Sequence, residues 1–212
     1  IIKAQLIIPE ADGTEKASDT ITYSVKKYCQ HILNNSDSYD ANTIAVIKKI
    51  LNYGSYSQQY FSYNMANLAN DMLEDTEKTL TKQADLMKAS STFHANNVNG
   101  IKYFGKSLIL RSKTDMRIYF ELTDSTKKIS DYTFKCDGKV LKPVQNGSKY
   151  YVDIADITPA EYGKVFTVTV SGKNFVSSSV YDYCRSAVSS STTDGKLKNL
   201  SVSMYELGTT VQ

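Results

Sequence analysis

The chain has no tryptophan, two histidines, three prolines and three cysteines in 212 residues. Each scarcity closes off a reading. Two histidines and three scattered cysteines give no zinc spacing, because such sites draw paired ligands from short segments. His31 stands two residues from Cys29, on a different face of any helix that holds both, so the two form no catalytic dyad. Cys29, Cys136 and Cys184 are odd in number, which leaves at least one thiol unpaired. Cys29 and Cys184 also fall on apolar helical stripes, where cysteine packs as a small hydrophobe, and no disulfide is expected. The net charge is only +3, from scattered lysines, so there is no basic stripe to suit nucleic acid. No apolar run approaches the length that spans a bilayer, and no signal-peptide pattern is present. The sequence contains no G-x-S-x-G, P-loop or Rossmann glycine pattern. It opens without methionine, on Ile1-Ile2-Lys3-Ala4-Gln5-Leu6-Ile7-Ile8, and reads as a piece cut from a longer protein.

An apolar fraction of 41% with 22% charged residues is ordinary for a chain with a real core. Its most informative feature is an echo. Ser24-Val25-Lys26-Lys27-Tyr28-Cys29 returns as Ser179-Val180-Tyr181-Asp182-Tyr183-Cys184, 155 positions on, and Gly54 with Gln58 returns as Gly208 with Gln212 at an offset of 154. Self-similarity at a fixed period marks a repeat architecture. This period is too long for a solenoid unit and fits a whole domain with its connector.

The apolar spacing supplies the elements. Residues 1–8 are β-rich and closed by Pro9, and Ala11 to Asp19 is polar and turn-like. Val25, Tyr28, Cys29, Ile32 and Leu33 then fall at helical spacing, as do Val180, Tyr183, Cys184, Ala187 and Val188. A longer helix is predicted from Ala41 to Tyr63, with Asp40 or Asn42 as N-cap. Its stripe of Val46, Ile50 and Tyr53 corresponds to Leu200, Met204 and Leu207 and should face the first helix. Gly54 and Gly208 sit mid-helix, where glycine costs about 1 kcal/mol against alanine, which points to close helix–helix approach. Short helical pieces are expected near Leu68–Leu73 and Leu80–Lys88. From Ile101 the period becomes two: Leu108 and Leu110, Met116 to Phe120, Tyr132 to Cys136, Tyr150 to Ile154, and Phe166 to Val170. Turn signals separate these runs, so an antiparallel sandwich is predicted. The last strand should lead through Ser171–Ser178 into the second hairpin.

The expected fold is α+β, an immunoglobulin-like antiparallel β-sandwich flanked by αα-hairpins, as a tandem-repeat fragment. Residues 1–20 read as the terminal strand and linker of an upstream sandwich, and 21–99 as a helical hairpin and connector. Residues 100–176 read as a β-sandwich, and 177–212 as an incomplete second hairpin.

Several segments also carry a resemblance: Tyr23 to Tyr28, Leu51 to Asn64, Asn67 to Asn70, Asp131 to Phe134, Asp137 to Lys139, and Tyr150 to Ile154. Together they resemble tandem units of large, uncharacterised secreted or cell-surface proteins of gut Firmicutes. The resemblance covers most of the chain and rests on scaffold residues. It implies export, an extracellular or surface-attached location and a multidomain parent, with neighbouring repeats as partners; it brings no catalytic set. Such units have a small residue, often alanine, where Cys29 and Cys184 stand, which supports a packing role for both.

Candidate sites are few. Asn35, Asp37, Asp40 and Asn42 do not match a calcium loop, whose ligands alternate around a central glycine, and helix capping accounts for them. Glu121, Asp124, Asp131 and Asp153 are scattered acids suited to solvation. No catalytic residue, metal ligand or cofactor is predicted. Among 16 tyrosines, alternation puts Tyr119 and Tyr151 opposite the core set, beside Arg117 and Asp153. Aromatics flanked by hydrogen-bonding groups suit a sugar ring or a protein partner, while cross-strand pairing that stabilises the sheet explains the same residues. The expected function is a non-enzymatic structural or adhesive repeat module of a large extracellular bacterial surface protein. The alternative is an accessory glycan- or protein-binding module of a secreted multidomain hydrolase. A wall anchor with further copies in the parent would favour the first, and a hydrolase domain the second.

Overall fold

The computed structural model describes residues 2–5, 7–10, 12–111 and 113–212. They form two compact units, Ile1–Thr79 and Leu80–Gln212.

The first unit opens with short strands β1 (Ile2–Ala4), β2 (Ile7–Pro9), β3 (Glu15–Ala17) and β4 (Ile21–Tyr23). β1 pairs antiparallel with β4 and β2 with β3. Ile1 and Leu6, part of the single strand expected over residues 1–8, lie outside the described residues. Residues 15–17, expected to be turn-like, are a strand. The chain reverses at Gly13, in the left-handed region at φ +84°, and Asp12 Oδ1 accepts from Thr14 N at 2.9 Å. Backbone pairing across that tip needs no apolar side chains.

Two helices follow. α1 (Val25–Asn34) begins where Ser24 Oγ accepts from Lys27 N at 3.1 Å. α2 (Ala41–Phe61) begins at Asp40, whose Oδ1 and Oδ2 accept from Thr43 N and Oγ1 at 2.9 and 2.6 Å. The acid weighed as a cation ligand is therefore a helix cap, and the hydrogen bonds from Thr43 hold its carboxyl below the ordinary range. The helices bury Cys29, Ile32, Ile47 and Leu51 together with Leu73 of the returning chain. In that return, residues 68–73 form turns rather than a helix. The helix comes later, as α3 (Asp75–Lys78), where Glu77 reaches back to Glu74 N at 3.1 Å. Asn52, buried on α2, donates to Glu77 O at 2.7 Å and accepts from Asn70 at 2.8 Å. Gly54 does not mark the approach of α1 to α2. A Cβ there would lie 3.0 Å from the Cβ of Ala69, so the glycine lets the returning chain lie close along α2.

The second unit contains α4 (Gln83–Lys88), β5 (His94–Ala95), β6 (Ile101–Leu110), β7 (Thr114–Leu122) and β8 (Phe134–Cys136). β9 (Lys139–Leu141), β10 (Val144–Asn146), β11 (Lys149–Ile157), β12 (Phe166–Val170) and β13 (Lys173–Ser178) follow, then α5 (Val180–Ser189) and α6 (Gly195–Thr210). The strands make two antiparallel sheets, ordered β10-β11-β7-β6 and β5-β13-β12-β8-β9. The architecture is α+β with two facing sheets, compatible with a sandwich. Phe120 of β7 joins them: its ring stacks on Phe134 at 4.8 Å and meets Phe175 edge-on at 6.0 Å. Alternation along β7, β11 and β12 buries Met116, Ile118, Phe120, Val152, Ile154, Phe166, Val168 and Val170, as the period-two pattern predicts.

Strand β13 lies where the sequence reads as a connection. Ser171 and Gly172, at φ +48° and +82°, make the two-residue reversal that hairpins favour. A bulge in the β12–β13 ladder accompanies the burial of both Phe175 and Val176, which breaks the alternation a sequence pattern needs. The sheets also begin earlier than residue 100, because β5 pairs with β13.

Helices α5 and α6 pack on this unit. Ser179 and Asp182 cap α5 reciprocally: Ser179 Oγ accepts from Asp182 N at 3.1 Å, and Asp182 Oδ2 accepts from Ser179 N at 2.9 Å. Glu206, fully buried on α6, accepts from Thr81 N at 2.6 Å and Lys82 N at 3.0 Å. Arg185 donates to Leu86 O and Ser90 O. The close helix–helix approach is at Gly208, where a Cβ would come within 2.5 Å of Tyr181 Oη.

Candidate functional site

The pairing of β7 with β11 places the four sequence-predicted site residues in two rungs on either side of the Ile118–Val152 pair, Tyr119 opposite Tyr151 and Arg117 opposite Asp153. Their neighbours Met116, Ile118, Phe120, Val152 and Ile154 are buried, so strand alternation turns this set to the outer face. All four come together. Arg117 Nε and Nη2 donate to the two oxygens of Asp153 at 2.7 and 2.8 Å, a bidentate pair. The guanidinium carbon lies 3.6 Å from the centre of the Tyr151 ring. Tyr151 in turn meets Tyr119 edge-on with centroids 5.9 Å apart. The side chains of Arg117 and Asp153 keep 17% and 32% of their surface, a partly dry setting in which the pair holds its geometry. The hydrogen bond to Asp153 raises the guanidinium further above its ordinary value, so Arg117 is charged at every pH a folded protein meets.

Three residues that pattern reading missed extend the face. The register slips between Tyr103 and Gly105, and Phe104 at that bulge stays 55% exposed. Lys149 lies over its ring, 3.0 Å from the centroid, and faces Glu121 at 3.8 Å. Gly105 stands opposite Tyr119, and a Cβ there would meet nothing within 4 Å. The missing side chain leaves open room beside the tyrosine. Glycine inside a strand pattern signals a bulge or a close approach, and that signal alone could have located the gap. The arrangement is a row of rings set edge to edge or covered by cations, with Arg117 over Tyr151 and Lys149 over Phe104. Such a mixture of rings and charged groups suits contact with a sugar or a protein side chain.

The three thiols are buried and free. Burial pushes Cys184 up to about 12 and Cys136 up to about 11, and raises Cys29 as well, so all three are neutral thiols near pH 7. Among the described residues no group of three or more His, Cys, Asp or Glu could hold a metal ion, and no helix is long and apolar enough to cross a membrane.

No protein-family model, curated protein or solved structure matches the chain. The class that the fold and the face define is an α+β protein with two antiparallel sheets and an outer band of aromatic and charged residues.

Proposed function

We propose that the chain is a non-enzymatic structural or adhesive repeat module of a large extracellular bacterial surface protein. In this reading an immunoglobulin-like sandwich is followed by a helical hairpin and joined to neighbours of its own kind. One observation carries it: matched helices are covered unequally. Val25 of α1 is 68% exposed, while its counterpart Val180 of α5 is fully buried. Tyr28 is 60% exposed, and its counterpart Tyr183 is half-buried. The longer helices repeat the contrast: Val46, Ile50 and Tyr53 are half-buried, where Leu200, Met204 and Leu207 are buried.

In the second unit the cover over α5 and α6 comes from the sandwich and from the segment before it. Tyr162 O accepts from Tyr181 N at 3.2 Å, and Thr92 N donates to Asp182 at 3.0 Å. Fully burying a side chain such as valine is worth about 1.5–3 kcal/mol. A sequence that keeps valine and tyrosine at the matched positions of α1 leaves that stabilisation unused until a like body covers them. The occupant we assign is therefore a β-sandwich of the kind residues 94–178 build, supplied by a neighbouring domain of the parent chain. The outer face at Tyr119 and Tyr151 then remains free for a glycan or protein ligand.

An antibody against the chain tests the reading. It should label intact, unpermeabilised cells and detect a polypeptide far larger than 23.7 kDa. Labelling confined to lysed cells, or a single band at the mass of this chain, would count against it.

A further inference from the structure

The second unit holds a groove that the outer face does not use. It has a volume of about 370 Å³ and is lined by Phe93, Tyr103, Lys106, Tyr183, Ala187 and Leu197, with Ser186 and Thr193 adding hydroxyls. Phe93 and Tyr103 lie with ring centroids 5.4 Å apart, and α5 supplies the opposing ring of Tyr183. Lys106 sits among them, its ammonium 4.4 Å from the centre of the Phe93 ring.

The lysine is unusual in its company. Its partner in β7 is Ile118, a core residue, so its side chain starts out toward the interior. It is half-buried, and its hydrogen bond goes to a neutral hydroxyl, Ser178 Oγ, at 2.6 Å. An ammonium carries three donors, so two are left for another acceptor. The acid whose charge reaches it, Asp182, is already engaged. Its oxygens accept from Ser91 Oγ, Thr92 N and Oγ1, and Ser179 N and Oγ. Inward-pointing lysines on edge strands also discourage edge-to-edge pairing, and β6 is an edge. That role needs only a charge, not a slot between aromatic rings with hydroxyls beside it.

The geometry points to a second binding site, in which this groove takes a small aromatic carboxylate. The ring enters between Tyr183 and the Phe93–Tyr103 pair, and the carboxylate accepts the free donors of Lys106. The volume is at the lower end of the roughly 300–1,000 Å³ typical of small-molecule sites, enough for one ring with a short acid arm. This site is separate from the outer-face reading, which stands or falls on other residues.

The test is an amide-shift NMR titration of the full chain with 4-hydroxyphenylacetate, with its neutral amide, and with acetate. The acid should give saturable shifts at Phe93, Tyr103, Lys106, Tyr183 and Ala187. Because hydrogen bonds to charged groups are the strong ones, the neutral amide should bind at least about tenfold more weakly, and ring-free acetate should also be much weaker. Lys106→Met, which keeps the apolar stem, should remove the preference for the acid. Equal affinity for acid and amide on the wild-type protein overturns the proposal, whatever the variant does. Shifts confined to the Tyr119 face, or no saturation with any of the three, overturn it equally.

Discussion

Gly54, well inside α2, and Gly208, in the last turn of α6, are equivalent in the sequence and unlike in their surroundings. At Gly208 an added methyl would meet Tyr181 Oη at 2.5 Å and Pro159 O at 3.1 Å, while at Gly54 its nearest neighbour is the Ala69 Cβ at 3.0 Å. Tyr181 is wedged against Tyr205, with centroids 4.8 Å apart, and the Pro159 oxygen is backbone, so neither gives way easily. Gly208→Ala should therefore destabilise by roughly 1–3 kcal/mol through overpacking. At Gly54 the contact with a single methyl competes with a gain in helix propensity of about 1 kcal/mol, and Gly54→Ala should stay within about that range of the wild type. Gly54→Leu, which drives a branched side chain into the returning segment, should destabilise like Gly208→Ala. Urea melts of the three variants decide this; a Gly208→Ala protein as stable as the wild type would remove the close contact. The presence of a special residue at both positions was legible in the sequence. Its partner at position 54 was not, because Ala69 reaches it through turns whose path no periodicity records. The outer face behaves similarly. Tyr119, Tyr151, Arg117 and Asp153 followed from alternation, whereas Phe104 and Gly105 hinge on a bulge that pattern reading passes over. A glycan array with the wild type and the Tyr119→Ala/Tyr151→Ala protein should lose any bound sugar in the variant. Identical profiles would take the site away from this face.

Among the elements, α5 is tied in by one acid. Burial on its own would raise the Asp182 carboxyl, but hydrogen bonds from Thr92 and Ser179 outweigh it and bring it down to about 2. A depressed folded-state value means stability that is fully present above the ordinary carboxylate range and is lost as pH falls from about 4 through about 2. Folding should weaken by on the order of 2 kcal/mol across that window on account of Asp182. Asp182→Asn, which cannot ionise, should flatten that part of the pH dependence and be less stable than the wild type at pH 7. Denaturant melts at pH 7, 4 and 2 would show it, and parallel curves for the two proteins would mean the carboxylate is not what fastens residues 91–92 to α5. This lock was invisible beforehand, since its partners lie 90 residues apart in the chain. The helices with strong apolar spacing, α1, α2 and α5, and the long strands β7, β11 and β12, were all legible, because one buried face fixes a period. What escaped were elements held mainly by backbone bonds: β3 and β5 with exposed side chains, β13 with its broken alternation, and α3 set by a capping box.

At the scale of the molecule, the informative comparison is internal. The same Ser-Val-x-x-Tyr-Cys segment begins α1 and α5, capped by the same serine hydroxyl, yet only α5 has its valine covered. Buried polar residues at matched positions strengthen the parallel. Asn52 and Glu206 are both almost fully buried, and each fastens a connecting segment through its backbone. Tyr23, Val25 and Tyr28 of the first unit are exposed, and in the proposed reading a neighbouring domain covers Val25 and Tyr28. Hydroxyl-radical footprinting of Val25 and Tyr28 tests this most directly, comparing the isolated chain with the larger surface protein proposed to contain it. Both side chains should be oxidised readily in the isolated chain and strongly protected in the larger protein, with Val180 protected in both. Equal oxidation of Val25 and Tyr28 in the two states would contradict the assignment of a neighbouring sandwich to that face.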